Sequence, residues 1–113
     1  MDGQLPAKRV IASPQYEESL GETFIEGIER FGIYQARKYL ELILISVEGL
    51  ETDYPYHPEC RHIATKTRMY RNIILDSHLI IYRITDERVE VLDILHSASS
   101  ISRIKSARKI QIE

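Results

Sequence analysis

The stretch HLIIYRI-TDER-VEVLDILH, residues 78 to 96, constrains the fold of this chain more than any other. Two runs of β-branched, aliphatic and aromatic residues flank the charged connection Thr85-Asp86-Glu87-Arg88, the pattern of a β-hairpin. Apolar residues occupy both parities of each run: Leu79, Ile80, Ile81, Tyr82 and Ile84 in the first, Val89, Val91, Leu92, Ile94 and Leu95 in the second. Successive strand residues point to opposite faces, so these strands belong in the middle of a sheet, with helices on one face and something else partly covering the other. The second run closes on His96.

Upstream, Lys8-Arg9-Val10-Ile11-Ala12 reads as a short strand ended by Ser13-Pro14. Serine suits a helix N-cap and proline its first turn. Tyr16, Leu20, Phe24, Ile28 and Phe31 then recur at helical spacing, with Glu17, Glu18, Glu22, Glu26 and Glu29 supplying a polar face. Gly32 predicts a stop. A second amphipathic stretch, Ile33, Ala36, Leu40, Ile43, Leu44 and Val47, ends near Gly49 and completes a helical hairpin. Pro55 and Pro58 make the segment from Glu51 to His62 a loop, because proline fits neither a helix interior nor a central strand.

Beyond that loop the character changes. Arg61 to Lys66, Met69 to Leu75, His78 to Ile84 and Val89 to Leu95 are strand-like, and the short breaks between them predict an antiparallel meander. Ser97 to Glu113 is rich in Ser, Lys and Arg, with Ile101, Ile104, Ala107 and Ile110 at roughly helical spacing. It is either a short helix that folds back or an arm ordered by a partner. The order β-α-α-β-β-β-β describes one α+β domain over residues 1–113, with 97–113 as a basic tail. A helical hairpin packs on an antiparallel sheet of four to five strands, the first short strand lying at an edge.

No apolar run approaches the roughly 20 residues a bilayer requires. Met1-Asp2-Gly3-Gln4 does not open a signal peptide, and the single cysteine, Cys60, excludes an internal disulfide. A cytoplasmic protein without membrane contact is expected. The net charge of −2 conceals an asymmetry: residues 1–60 carry 5 Lys/Arg against 11 Asp/Glu, whereas residues 61–113 carry 10 against 6. Such a split fits a positive face for phosphate, and equally an acidic helical layer beside a basic sheet.

The helical hairpin with Ala36 near the start of its second helix, the loop, Tyr70-Arg71, the Leu79-Ile80-Ile81-Tyr82-Arg83-Ile84 strand and the Val89-to-His96 strand resemble the RelE/ParE superfamily of toxins from type II toxin–antitoxin systems. The resemblance spans roughly residues 7 to 97. It implies a small toxin held inactive by a cognate antitoxin, as a homodimer or as a hetero-oligomer with that antitoxin. RelE-like members cut messenger RNA in the ribosomal A site, so ribosome and mRNA would be the partners. ParE-like members instead bind and inhibit DNA gyrase, and an inactive member would serve only as an antitoxin-binding module.

Metal-free RNA cleavage needs groups that activate the 2′-hydroxyl, stabilise the phosphorane and protonate the departing oxygen. The resemblance points to the concave sheet face, where His96 would act as acid or base with Arg71, Arg83 and Lys66 as further catalytic groups. Arg61, Arg68 and Arg103 would contact phosphate. Superfamily members often continue His-Arg or His-Arg-Arg at this position, but here Ser97-Ala98-Ser99-Ser100 follows. The plain structural alternative makes His96 a strand-end residue bonded to backbone, Arg71 and Arg83 a solvated or helix-packed face, and Tyr82 a core residue with its hydroxyl satisfied nearby. Asp93, three residues from His96 on one strand, points to the opposite face and forms no dyad with it. His57-Pro58-Glu59-Cys60-Arg61-His62 offers four possible metal ligands but no second pair, so neither metal nor cofactor is expected.

Overall fold

Ser13 starts the helical layer in the manner its sequence context dictates. Its Oγ accepts the Tyr16 N–H at 2.9 Å and donates to the Leu92 carbonyl at 2.6 Å, so one buried hydroxyl both caps the helix and ties it to the sheet. The structure is a computed structural model and describes residues 5–113; Met1-Asp2-Gly3-Gln4, expected not to be a signal peptide, lie outside the described residues.

Strand β1 (Arg9–Ala12) leads into α1 (Pro14–Glu48). Gly32, at φ 86 and ψ 164, breaks α1 into two arms, as its position predicts. The arms close where Gly27 leaves room for Ala36: a Cβ at residue 27 would stand 3.4 Å from the Ala36 Cβ, and Ala36 is buried. A short helix α2 (Leu50–Asp53) and a 3-10 turn (Tyr54–Tyr56) follow. Then come β2 (Tyr70–Ile74), β3 (His78–Ile84), β4 (Arg88–His96), the short helix α3 (Ile101–Ser106) and a 3-10 turn (Ala107–Lys109).

Among the described residues the sheet has four strands in the order β1-β4-β3-β2. The meander β2-β3-β4 is antiparallel as expected, and β1 lies at the edge. β1 nevertheless joins β4 in parallel, Arg9 opposite Arg88 and Ala12 opposite Val91, which makes the sheet mixed. Tight turns reveal the direction of β2 to β4, but β1 is connected through the whole helical hairpin, and no turn in the sequence encodes its direction. The Arg61–Lys66 stretch forms no strand, and only the bridge Glu59–Arg71 stands in that place. Cys60 and Ile63 are both buried and linked by a turn, Ile63 N–H to Cys60 carbonyl at 3.0 Å, a geometry that extended pairing would destroy.

A bulge at Leu92 shifts the β3–β4 register, so that Ile81 pairs with Asp93 but Tyr82 with Val91. It places Val91 and Ile94 in one core and Leu92 and Leu95 in another. The first core lies under α1 and joins Tyr16, Ile43, Leu50, Tyr54, Ile80 and Tyr82. Tyr82 is fully buried and its hydroxyl donates to the Tyr54 carbonyl at 2.7 Å. The second core joins Cys60, Ile63, Ile81, Leu92 and Leu95 to Ile104 and Ala107, with Ile110 and Ile112 against it. The segment after β4 therefore folds back over the sheet face that α1 leaves open.

Gly32 adopts a backbone region open essentially to glycine alone, while a Cβ there would meet nothing within 4 Å. Gly32→Ala should therefore lower the unfolding free energy by about 1–3 kcal/mol through backbone strain. At the mid-helix Gly21, where a Cβ also meets nothing, Ala should raise it by about 0.5–1 kcal/mol. Urea titration of the two variants checks both signs.

Candidate functional site

The β3–β4 register sets His78 directly opposite His96 at one end of the central hairpin. Their rings lie 4.5 Å apart, tilted by 31°. From the first arm of α1, Glu26 Oε1 reaches His96 Nε2 at 3.0 Å, and from the second arm Tyr39 Oη reaches His78 Nδ1 at 2.8 Å. The His96–Glu26 pair is half exposed. His78 is only 7% exposed and its Nε2 has no partner among the described residues. Burial foremost, and then His96, push the His78 pKa down against the opposing pull of Glu26. The cluster lies in a cleft of about 620 Å³ between the α1 arms and the strand ends, lined by Phe24, Phe31, Ala36, Leu40 and Arg30.

The basic candidates lie elsewhere. Arg83 is buried on the opposite sheet face beneath the returning segment. Its Nε and Nη2 bond Glu90 Oε1 at 2.7 and 2.6 Å, Nη2 also donates to the Ile110 carbonyl at 3.0 Å, and Nη1 meets Tyr70 Oη and the Arg108 carbonyl at 3.4 Å. Arg88 takes the other Glu90 oxygen at 2.8 and 2.7 Å and donates to the Ile112 carbonyl at 2.8 Å. Burial alone would raise the Glu90 pKa, but the hydrogen bonds and charges of Arg83 and Arg88 outweigh it and hold this carboxyl below its usual range. Burial likewise works against the charge on Arg83, and the bonds to Tyr70 and Glu90 overcome it.

Arg71 is also committed. Its Nε donates to the Arg68 carbonyl at 2.7 Å and its Nη1 to the Pro55 and His57 carbonyls at 3.0 and 2.9 Å, tying the proline-containing loop to β2. Arg61, Lys66 and Arg68 are exposed on the segment before β2, with Arg68 3.6 Å from Glu59. Arg103 is exposed on α3, near the buried Asp93, whose pKa is raised mainly by burial and lowered by Ser19 and Arg103. The expected grouping of His96 with Arg71, Arg83 and Lys66 on one concave face thus does not form. Five residue steps along β3, roughly 16 Å, separate His78 from Arg83, and His96 and Arg83 belong to opposite faces. The structure instead sets Glu26 and His78 against His96, with Tyr39 bonded to His78, neighbours that only the pairing register and the hairpin geometry bring there. In the other sequence cluster, Cys60 is buried in the second core and the His57 ring stands edge-on to Tyr82 at 6.1 Å. Among the described residues no group of three His, Cys, Asp or Glu is arranged to hold a metal ion.

The family model described as the ParE toxin of the type II toxin–antitoxin system, parDE, matches residues 10–101. The chain belongs to the ParE toxin family. Among solved structures it is similar to the chromosomal ParDE toxin–antitoxin system from P. aeruginosa, at 13% identity, 80% coverage of this chain, 96% of that one and a TM-score of 0.66. It is also similar to the toxin–antitoxin complex RelBE2 from Mycobacterium tuberculosis, at 16% identity, 87% and 100% coverage and a TM-score of 0.58. At these identities the likeness is one of fold. No curated protein sequence matches. Among the described residues no helix of this ParE-family chain is long and apolar enough to cross a membrane. The family match ends at residue 101, so most of the returning segment lies beyond it.

The lowered His78 pKa has a definite sign. Above the unfolded value of 6.5 both states are neutral and the contribution of this site is fully present; as pH falls the unfolded chain protonates first, and the stability is lost toward the folded pKa. Asp93, with its pKa raised, acts oppositely and nearer the carboxylate range, favouring the fold as pH falls. Between about pH 7.5 and about pH 5.5 the chain should therefore lose more stability than His78→Gln does, as read by urea unfolding at both values.

Proposed function

We propose that this ParE-family toxin acts by binding DNA gyrase, without cutting RNA, and that a cognate antitoxin holds it in check. The commitment of Arg83 and Arg71 carries this reading. Stabilising a phosphorane takes cationic donors that converge on it, and here Arg83 is spent on Glu90 and two backbone carbonyls and Arg71 on three more, on different parts of the molecule. The Ser97-Ala98-Ser99-Ser100 continuation after His96 and the acidic overall balance agree with it, because a ribosome-directed nuclease gains affinity from positive charge. The antitoxin follows from membership of a toxin–antitoxin toxin family, and the two structural neighbours are themselves toxin–antitoxin systems.

Ribosome-dependent mRNA cleavage is the second reading. The half-exposed His96–Glu26 pair, in a cleft that Arg30 also lines, is the observation in its favour, since an imidazole held by a carboxylate is a competent general acid or base.

Expression from a tightly repressed promoter, with primer extension on cellular mRNA and supercoiling assays on purified protein, separates the two. Blocked supercoiling that persists in His96→Ala, without new mRNA ends, is expected. Ribosome-dependent cuts that fall by about 10²–10⁴-fold in His96→Ala, the range typical of a lost acid or base, would replace the binding reading with the nuclease.

A further inference from the structure

The segment after α3 is held in an unusual way. Beyond the 3-10 turn, residues 110–113 belong to no helix and no strand, yet Ile110 and Ile112 pack on the second core. The carbonyl of Arg108, still within the turn, receives an arginine donor, and beyond the turn so do those of Ile110 and Ile112, two residues apart. That is the period of an extended peptide, whose alternate carbonyls share one side and whose alternate side chains share one face. The receptor belongs to the central strands: Arg83 on β3, and Glu90 and Arg88 on β4. Glu90 gives one oxygen to each arginine, so both guanidinium groups are oriented by the sheet itself, and their further N–H groups reach the carbonyls of the returning segment.

We propose that this face of the sheet is a peptide-binding cleft for an extended partner segment carrying two aliphatic side chains two residues apart, and that the chain's own Ile110–Ile112 segment occupies it in cis. The ligand chemistry is written in the occupant. Backbone carbonyls supply the polar contacts, which any sequence offers, and an aliphatic-x-aliphatic pattern packs against the apolar cluster of the second core. The inner segment competes with every outside ligand, and its local concentration keeps the cleft shut until a partner outbids it. This inference concerns a different surface from the His96 cleft and does not depend on whether gyrase or mRNA is the target.

The test uses the full chain. Ile110→Ser together with Ile112→Ser weakens the inner segment and leaves the cleft intact. A fluorescent peptide of residues 106–113 is titrated into this variant and into the parent chain, with anisotropy as the readout. The variant should bind at least about tenfold more tightly than the parent, and adding Arg88→Gln should remove about tenfold, as loss of a charged hydrogen bond does. A folded variant that ignores the peptide, or that binds a peptide with both isoleucines changed to serine equally well, overturns the proposal. If the double variant does not fold, excess peptide is added to the parent chain and deuterium uptake over residues 108–113 is followed. Uptake should rise with the native peptide and stay unchanged with the serine peptide, and no rise overturns the cleft. Exchange of the segment between two copies would appear as a dimer that the peptide dissociates, which supports a cleft open to ligands in trans.

Discussion

Strands that are apolar on both faces have to be covered twice, and that requirement organises the whole molecule. Burying a Leu, Ile or Val side chain is worth about 1.5–3 kcal/mol, and β3 and β4 hold Ile80, Ile81, Val89, Val91 and Leu92 at essentially zero exposure. The helical hairpin can cover only one side. The other side is closed by Cys60, Ile63, Ile104 and Ala107, drawn from the segment before β2 and the segment after β4. The bulge at Leu92 lets a single strand feed both cores.

Closing the second side brings charge into the interior. Arg83 and Glu90 are 8% and 6% exposed, and ions so placed are tolerated only when paired and hydrogen-bonded. The pairing is nearly complete: both Glu90 oxygens are shared between two arginines, and the arginines reach three carbonyls of the returning segment. This cluster orders a stretch of chain that has no ladder of its own. It also removes from the surface the cation that a phosphate-binding sheet would have needed.

At the other end of the hairpin the same strands form a different environment. His78 and His96 meet because β3 and β4 pair in register, and Glu26 and Tyr39 approach because Gly32 folds α1 back. One imidazole is half solvated and paired with a carboxylate, while its neighbour is buried with a ring nitrogen that has no partner among the described residues. Two identical side chains therefore meet different surroundings within 4.5 Å of each other.

Local chemistry was legible in the amino-acid order. Ser13-Pro14, Gly32 and the two-parity runs of β3 and β4 mark a cap, a break and a buried hairpin, because each depends on near neighbours and on steric limits of single residues. Arg61–Lys66 misled because alternation of side chains does not reveal that Cys60 and Ile63 are drawn inward by a core formed elsewhere. The parallel entry of β1, the opposition of His78 and His96, and the use of Arg83 as an internal clamp were decided only in three dimensions. Each joins residues far apart in the chain, and a lone arginine or histidine carries no mark of the partner that will absorb its charge. The sequence by itself determined the elements and the two-sided burial of the hairpin; tertiary packing decided which polar groups stay available for chemistry, because pairing with a distant carboxylate or carbonyl is a property of the assembled fold.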